Sequence, residues 1–263
     1  EGIIPRSARE LFSMLEARSE FYDYSVSCYF VELYVNKLND LFLPVTNDKP
    51  IHHQPDKLEV KLDASRMVYV KNATVKEIED SDDLINAWAG GEQLRNVTST
   101  NMNDRSSRSH SVLSVIVETK SKTTGATTRA KLSLIDLAGS ERVKKSGVHG
   151  VGMQEAQSIN KSLTCLSDVI SALSNESKFV PYRNNKLTQL MQDSLGGNSK
   201  TMMLVAISPA EFNREETIMS LHYASRARLI KNKSVKGQGS IGSLEEVKRL
   251  RGIIEEMRRE KRE

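Results

Sequence analysis

Two apolar runs, Ser111–Lys120 (SVLSVIVETK) and Arg129–Leu137 (RAKLSLIDL), are joined by a short Thr-Thr-Gly turn. A connection this short cannot carry a parallel crossover, so the two runs pair as an antiparallel hairpin and commit the chain to a sheet. A third run, Ser25–Tyr34 (SVSCYFVELY), is rich enough in aromatic and β-branched residues to be another buried strand. Helical periodicity covers the same sheet. Ile159, Leu163, Leu166, Ile170 and Leu173 are spaced 4-3-4-3, which puts one apolar stripe on a long helix. The expected fold class is therefore α/β, a mixed central β-sheet flanked by helices.

The remaining segments fit that plan. Residues 5–18 read as a helix with Pro5 near its start and Ala8, Leu11, Phe12 and Leu15 on one face. Short strands are expected at Leu58–Leu62 and Val68–Val70, after a polar loop from Asn47 to Asp56. A helix opens at Ser81-Asp82-Asp83, passes Trp88 and ends at Gly90-Gly91. A glycine-bearing loop, Ala138–Gly152, precedes the long helix. Leu187, Leu190 and Met191 mark a helix that stops at Gly196-Gly197, and Met202–Ser208 reads as a buried strand ended by Pro209. Asn213 with Glu216 resembles a capping box for a helix through Ile230. Glycines and serines between 234 and 243 read as a flexible linker, and 244–263 as a charged C-terminal helix.

Composition excludes little beyond the extremes. Charged residues make up 27% and hydrophobic ones 38%, and no run approaches the roughly 18 to 20 apolar residues of a membrane span. The N-terminus lacks a basic segment followed by an apolar core, so it does not read as a signal peptide. It also lacks an initiator Met, which suggests that the chain starts mid-protein. Cys28 and Cys165 lie far apart in apolar contexts without metal-ligand spacing. They are expected as buried free thiols of a cytosolic protein, with a disulfide left open. The net charge of +4 suits a partner with an acidic surface.

Two segments carry chemistry. The strand Leu132–Leu137 ends in Asp136 and is followed by Ala138-Gly139, the pattern of a nucleotide-triphosphatase strand whose Asp orders a water on Mg²⁺. Glycine lets an amide approach a γ-phosphate with no Cβ in the way. A plain strand end has the same appearance. The segment from Asn101 to His110 (NMNDRSSRSH) concentrates hydroxyls and arginines, suited to a loop closing over metal and phosphate or to a solvated Ser/Arg loop.

NMNDRSSRSH, DLAGSERVKKSG, NKSLTCLSDVISAL and VPYRNNKLTQLMQDSLGGNSKTMMLVAISP, in this order, closely resemble the second half of the kinesin motor domain. The resemblance covers residues 2–233, so 1–233 is expected to be a partial motor domain of kinesin and P-loop NTPase type, incomplete at the N-terminus. It implies roles for particular residues. Asn103, Ser106 and Ser107 fall on switch I, whose serines reach Mg²⁺, the γ-phosphate and the attacking water. Asp136 falls on the magnesium-side aspartate of switch II, acting through water, and Gly139 supplies an amide to the γ-phosphate. Glu141 falls on the switch II glutamate that closes onto the switch I arginine, here Arg108. ATP and Mg²⁺ are the implied cofactors. Lys144, Lys145, Asn160, Lys161, Tyr182, Arg183 and Lys186 fall on the tubulin-facing surface, which places the protein on cytoplasmic microtubules. No nucleic-acid partner is expected.

No window of the sequence reads G-x-x-x-x-G-K-S/T, the phosphate-binding loop. The resemblance places that loop upstream, and its strand between the counterparts of Lys131–Leu137 and Met202–Ser208. Without that strand the chain alone is expected to be poorly stable or to aggregate through open edges. The wording is most like the calmodulin-binding, C-terminal-motor kinesins. Residues 244–263 carry seven Lys/Arg against six Glu, with an apolar stripe of Leu244, Val247, Leu250, Ile254 and Met257. That balance suits a neck or regulatory helix, or a short coiled coil, ahead of a site for calmodulin or another Ca²⁺ sensor. Two functions remain in competition. One is a microtubule motor that couples ATP hydrolysis to movement, present as a fragment; the other is a microtubule-binding pseudo-motor without hydrolysis. The full set of switch residues favours the first.

Overall fold

The structure, a computed structural model, describes residues 2–43, 57–97, 106–140, 151–232 and 252. Its strands are β1 (Tyr22–Tyr34), β2 (Lys37–Asp40), β3 (Glu59–Leu62), β4 (Val68–Lys71), β5 (Lys76–Ile78), β6 (His110–Ser121) and β7 (Thr127–Asp136). The helices are α1 (Ile3–Glu16), α2 (Ser81–Val97), α3 (Val151–Ser174), α4 (Lys186–Leu190) and α5 (Arg214–Ala227). β1 lies beside β6, and β6 beside β7, while β2 and β5 share the other edge of β1 at its two ends. Every pairing among the described residues is antiparallel, and β3 with β4 forms a separate two-stranded sheet. The expected hairpin of Ser111–Lys120 and Arg129–Leu137 is present as β6–β7, with Gly125 supplying a positive φ of 69° at the turn.

Alternation along β1 divides the core in two. Val26, Cys28 and Phe30 face Ala8 and Phe12 of α1 and Leu84 and Ala87 of α2, together with Leu113, Val115 and Val117 of β6. Tyr29, Val31 and Leu33 face the other way, against Leu166 and Ile170 of α3 and Leu187 and Leu190 of α4. The predicted apolar faces of the first and the long helices are thus the faces that pack. Cys28 and Cys165 are both buried and free.

Four expectations change. α2 does not stop at Gly90-Gly91 but runs on to Val97. Gly91 is a packing residue there: a Cβ on it would lie 2.4 Å from Phe30 Cδ1, so the helix can lie this close to β1 only with glycine. The helix around Leu187 ends at Leu190, and the chain reaches Gly196 through turns. Asn213 precedes α5 but makes no capping bond; its side-chain amide donates to Ser208 Oγ at 3.1 Å instead. Met202–Ser208 forms no strand. Met202, Leu204 and Ile207 are 78%, 63% and 54% exposed. An extended segment becomes a strand only when a neighbouring strand takes its amides and carbonyls, and among the described residues no strand does; the Ser208 carbonyl accepts from Thr217 Oγ1 at 3.0 Å. The Asn47–Asp56 loop, most of the Ala138–Gly152 loop, the 234–243 linker and almost all of the C-terminal helix lie outside the described residues.

The outer edge of β7 likewise meets no strand among the described residues, and Leu132 on it is 36% exposed. An open edge and an exposed apolar run at 202–207 are each a template for pairing with another chain. Expressed by itself, the chain is therefore expected to shift to larger species as its concentration rises in size-exclusion chromatography with light scattering. A concentration-independent monomer with a cooperative melt would contradict this. The inner side of β7 is held firmly. Lys131 pairs with Asp193 at 2.5 Å and donates to the Val68 carbonyl at 2.8 Å, while Asp193 accepts the Val68 amide at 2.8 Å. These bonds fix the β3–β4 hairpin to the sheet.

Candidate functional site

Three strands align their ends at one point. Glu32 of β1 is opposite Ser111 of β6, and Ser111 is opposite Asp136 of β7, so the three side chains form one row on one face. A carboxylate inside the apolar run YFVELY has no water to solvate it, and Glu32 is fully buried. The last turn of α2 supplies the counter-charge. Arg95, 2% exposed, lies across the row. Its Nη1 reaches Asp136 Oδ2 at 3.2 Å and Ser111 Oγ at 3.3 Å; Nε reaches Ser109 Oγ at 3.1 Å and stands 4.0 Å from Glu32 Oε1. Nη2 donates to the Ser109 carbonyl at 2.9 Å. Burial pushes the Glu92 carboxyl, 3.5 Å from Arg95, above the usual carboxylate range, against the pull of the guanidinium. The exposures are uneven: the Asp136 side chain is 69% accessible although one of its oxygens is held by a buried arginine.

The opposite face of the same strand ends carries His110, 3% exposed. Its Nδ1 accepts the Ala138 amide at 3.0 Å and its Nε2 lies 2.7 Å from Ser162 Oγ on α3. Burial, with the charge of Arg95 nearby, lowers its pKa to about 4. The next amide, Gly139, donates to the Ser107 carbonyl at 2.8 Å. Ser106–Arg108 form a single 3₁₀ turn ahead of β6. Arg108 and His110 line a cavity of about 10 Å³ with Val35, Asn36, Ser158 and Asn185, roughly the room of one water. The β1–β2 turn that closes it has positive φ at both Val35 (45°) and Asn36 (61°), a conformation a β-branched residue adopts only under strain.

The expected site residues fall into three groups. Ser107 and Gly139 meet through their hydrogen bond, Ser106 and Arg108 share the Ser107 turn, and Asp136 lies three residues before Gly139 on Arg95. Asn103, Glu141, Lys144 and Lys145 lie outside the described residues. On the far surface, Lys161 and Arg183 are exposed and Asn160 and Lys186 half-buried. Burial, then the neighbouring Lys57, lowers the Lys186 pKa. The Tyr182 hydroxyl donates to the Leu195 carbonyl at 2.5 Å, so that group braces the turn after α4. Arg95, Glu32 and His110 were not singled out in the sequence. The lone Glu in the apolar strand was the available signal, because a buried carboxylate calls for a buried cation.

β7 thus ends in an aspartate that a buried arginine holds, and the Gly139 amide three residues on is tied back to the Ser106–Arg108 turn. A model of the kinesin motor domain matches residues 1–230. The chain belongs to the kinesin motor family. The kinesin-like proteins KIN-14E of Arabidopsis thaliana and KIN-14I of Oryza sativa subsp. japonica are each 48% identical to it over 253 residues, 96% of this chain. The kinesin heavy chain of Caenorhabditis elegans is 41% identical over 88% of it. The chain spans 19% and 20% of the two KIN-14 relatives, about a fifth of their length. Among solved structures, a fast kinesin superposes with a TM-score of 0.78 at 38% identity, covering 89% of this chain and 64% of that one. A KIF14 dimer bound to AMP-PNP and a microtubule gives 0.79 at 35% identity, covering 88% and 65%. The kinesin fold expected from the sequence motifs is thus the fold observed. Among the described residues no helix is long and apolar enough to cross a membrane.

Proposed function

We propose that this kinesin chain is part of a microtubule motor that couples ATP hydrolysis to movement. The observation that carries the reading is the junction of the two switch segments, where Gly139 N–H meets the Ser107 carbonyl and Asp136 leans on Arg95. The KIF14 relative was captured with a nucleotide analogue on a microtubule, which supports the same substrate and track here. ATP is the substrate, and the protein works on the cytoplasmic microtubule array.

Ser107 and Asp136 each offer oxygen, the donor type that suits a hard cation that keeps several waters. Ser107 would hold Mg²⁺ directly and Asp136 through water; the ion neutralises phosphate charge when bound. Arg95 holds one Asp136 oxygen at 3.2 Å and so aims the carboxylate at the end of the strand. The Gly139 amide has a second use: it exchanges the neutral Ser107 carbonyl for a γ-phosphate oxygen, a stronger charge-assisted bond. That exchange frees the Ser107 segment to rearrange, and Glu141 then closes on Arg108. Asn103 and Ser106 orient the attacking water. The phosphate-cradling loop is assigned to residues other than these.

Lys144, Lys145, Asn160, Lys161, Arg183 and Lys186 form the tubulin-facing surface, with Tyr182 bracing it. Residues 234–243 act as a linker and 244–263 as a neck or regulatory helix, with a Ca²⁺ sensor such as calmodulin as its further partner. The test is ATP turnover and cosedimentation of the full-length protein with polymerised tubulin. Turnover should rise with microtubules, and binding should weaken with salt as exposed charge pairs are screened. Salt-sensitive binding with no turnover would replace the motor by a pseudo-motor; no binding at all would remove both readings.

A further inference from the structure

His110 has both ring nitrogens engaged, and the partners fix its tautomer. An N–H donor, Ala138, points at Nδ1 at 3.0 Å, so Nδ1 carries the lone pair. The ring proton is then on Nε2 and donates to Ser162 Oγ at 2.7 Å, which leaves the Ser162 hydroxyl to donate to the Ile159 carbonyl at 2.6 Å. A single directed chain of hydrogen bonds runs from the Ala138 amide through the imidazole to the backbone of α3. Each group in it is buried: Ala138 is 6%, His110 3% and Ser162 5% exposed. Removing any one bond leaves a polar atom without water to replace it. The chain meets α3 beside Asn160 and Lys161 and ends one residue before Gly139, whose amide is on Ser107.

We propose that His110 is a positioning residue that ties α3 to the Ala138–Gly139 amides, so that a shift of α3 at its outer face re-aims those amides. The proposal rests on the motor reading, in which α3 faces the microtubule and Gly139 the nucleotide. The ring is rigid and short, and its two nitrogens point in different directions, so it transmits displacement without absorbing it in rotamers. Serine in its place is too short to reach both partners, and lysine has no acceptor for the Ala138 amide. The coupling is mechanical and needs no change in the protonation of the ring.

Three substitutions in the full-length protein separate the two bonds. Ser162→Ala breaks only the α3 side. His110→Asn keeps an acceptor near the Nδ1 position for Ala138 but does not reach Ser162. His110→Gln keeps a donor near the Nε2 position but loses Ala138. Microtubule-stimulated turnover should fall about tenfold in all three, inside the roughly 5- to 150-fold range of site-to-site coupling. In Ser162→Ala, basal turnover and the KM for ATP should stay within about twofold, and hydrogen exchange at the Ala138 amide should quicken. Stimulation that survives in Ser162→Ala and His110→Asn overturns the proposal. So does an equal loss of basal and stimulated turnover in Ser162→Ala, which marks a merely structural contact. A wild-type protein without microtubule-stimulated turnover is a different failure, that of the motor reading, and the proposal falls with it.

Discussion

Arg95→Met is expected to destabilise the folded protein by about 3–5 kcal/mol, the cost of stripping one partner from a buried ion pair. Arg95 is 2% exposed and Glu32 fully buried, so methionine takes the guanidinium away from a carboxylate that water does not reach and that keeps a neutral donor, Asn39 Nδ2 at 3.0 Å. Ser109 and Ser111 lose their guanidinium donors at the same time. The size of the loss depends on the charge left behind more than on the bonds removed, which gives the prediction a second arm. Arg95→Met with Glu32→Gln should recover a large part of the stability, because two neutral side chains of similar volume replace a buried pair at little cost. Equilibrium denaturation of the full-length protein measures both. A loss under about 1 kcal/mol in the single variant would show that Glu32 finds another partner. The two arms also separate this site from ordinary core positions, where a second substitution adds to the first.

Glu141→Ala in the full-length motor is expected to abolish microtubule-stimulated ATP turnover while ATP binding persists. The physical ground is the proposed closing of one switch segment on the other. A glutamate after Gly139 and an arginine after Ser107 gain a charge-assisted contact only when a phosphate orders both. Preorganised electrostatic contacts of this kind contribute roughly 10² to 10³ in turnover, so a drop of at least about a hundredfold is expected. Binding of a nucleotide analogue should change by no more than a few-fold, since the contact forms after the phosphates are seated. Exchanging the charges, Glu141→Arg with Arg108→Glu, should restore part of the activity. Unchanged turnover in the alanine variant would remove the role given to Glu141.

Both effects trace back to β6 and β7. One face of their ends carries Arg95 and its acidic row, the other carries His110. The amides of Ala138 and Gly139, two and three residues after Asp136, bond to His110 and to the Ser107 carbonyl. A residue pair in register on a sheet is a rigid relation, so the site inherits the precision of the ladder although its working parts are turns.

Much of this was legible in the linear chain. The hairpin of β6 and β7, strand β1, and helices α1 and α3 follow from periodicity and turn chemistry, because local spacing decides which face can be buried. Motif wording singled out Ser107, Asp136 and Gly139, and the fold adds the Gly139–Ser107 bond and the Asp136–Arg95 contact. What local pattern did not decide is what depends on a neighbour. Met202–Ser208 has the composition of a strand but pairs with nothing described, since apolar β-branched content favours a strand only where a ladder exists. α2 passes two glycines that spell a stop, because Gly91 fits against Phe30 and the helix end is anchored by Arg95. Asn213 has a capping residue's identity yet bonds to Ser208. Arg95, Glu32 and Asp136 stand far apart in sequence and meet only because three strands put their ends in one row. Sequence alone thus determined the elements and the family, through short-range sterics and hydrophobic period. Tertiary structure alone decided which charges are buried together, because burial and its electrostatic cost exist only once distant segments share a space that excludes water.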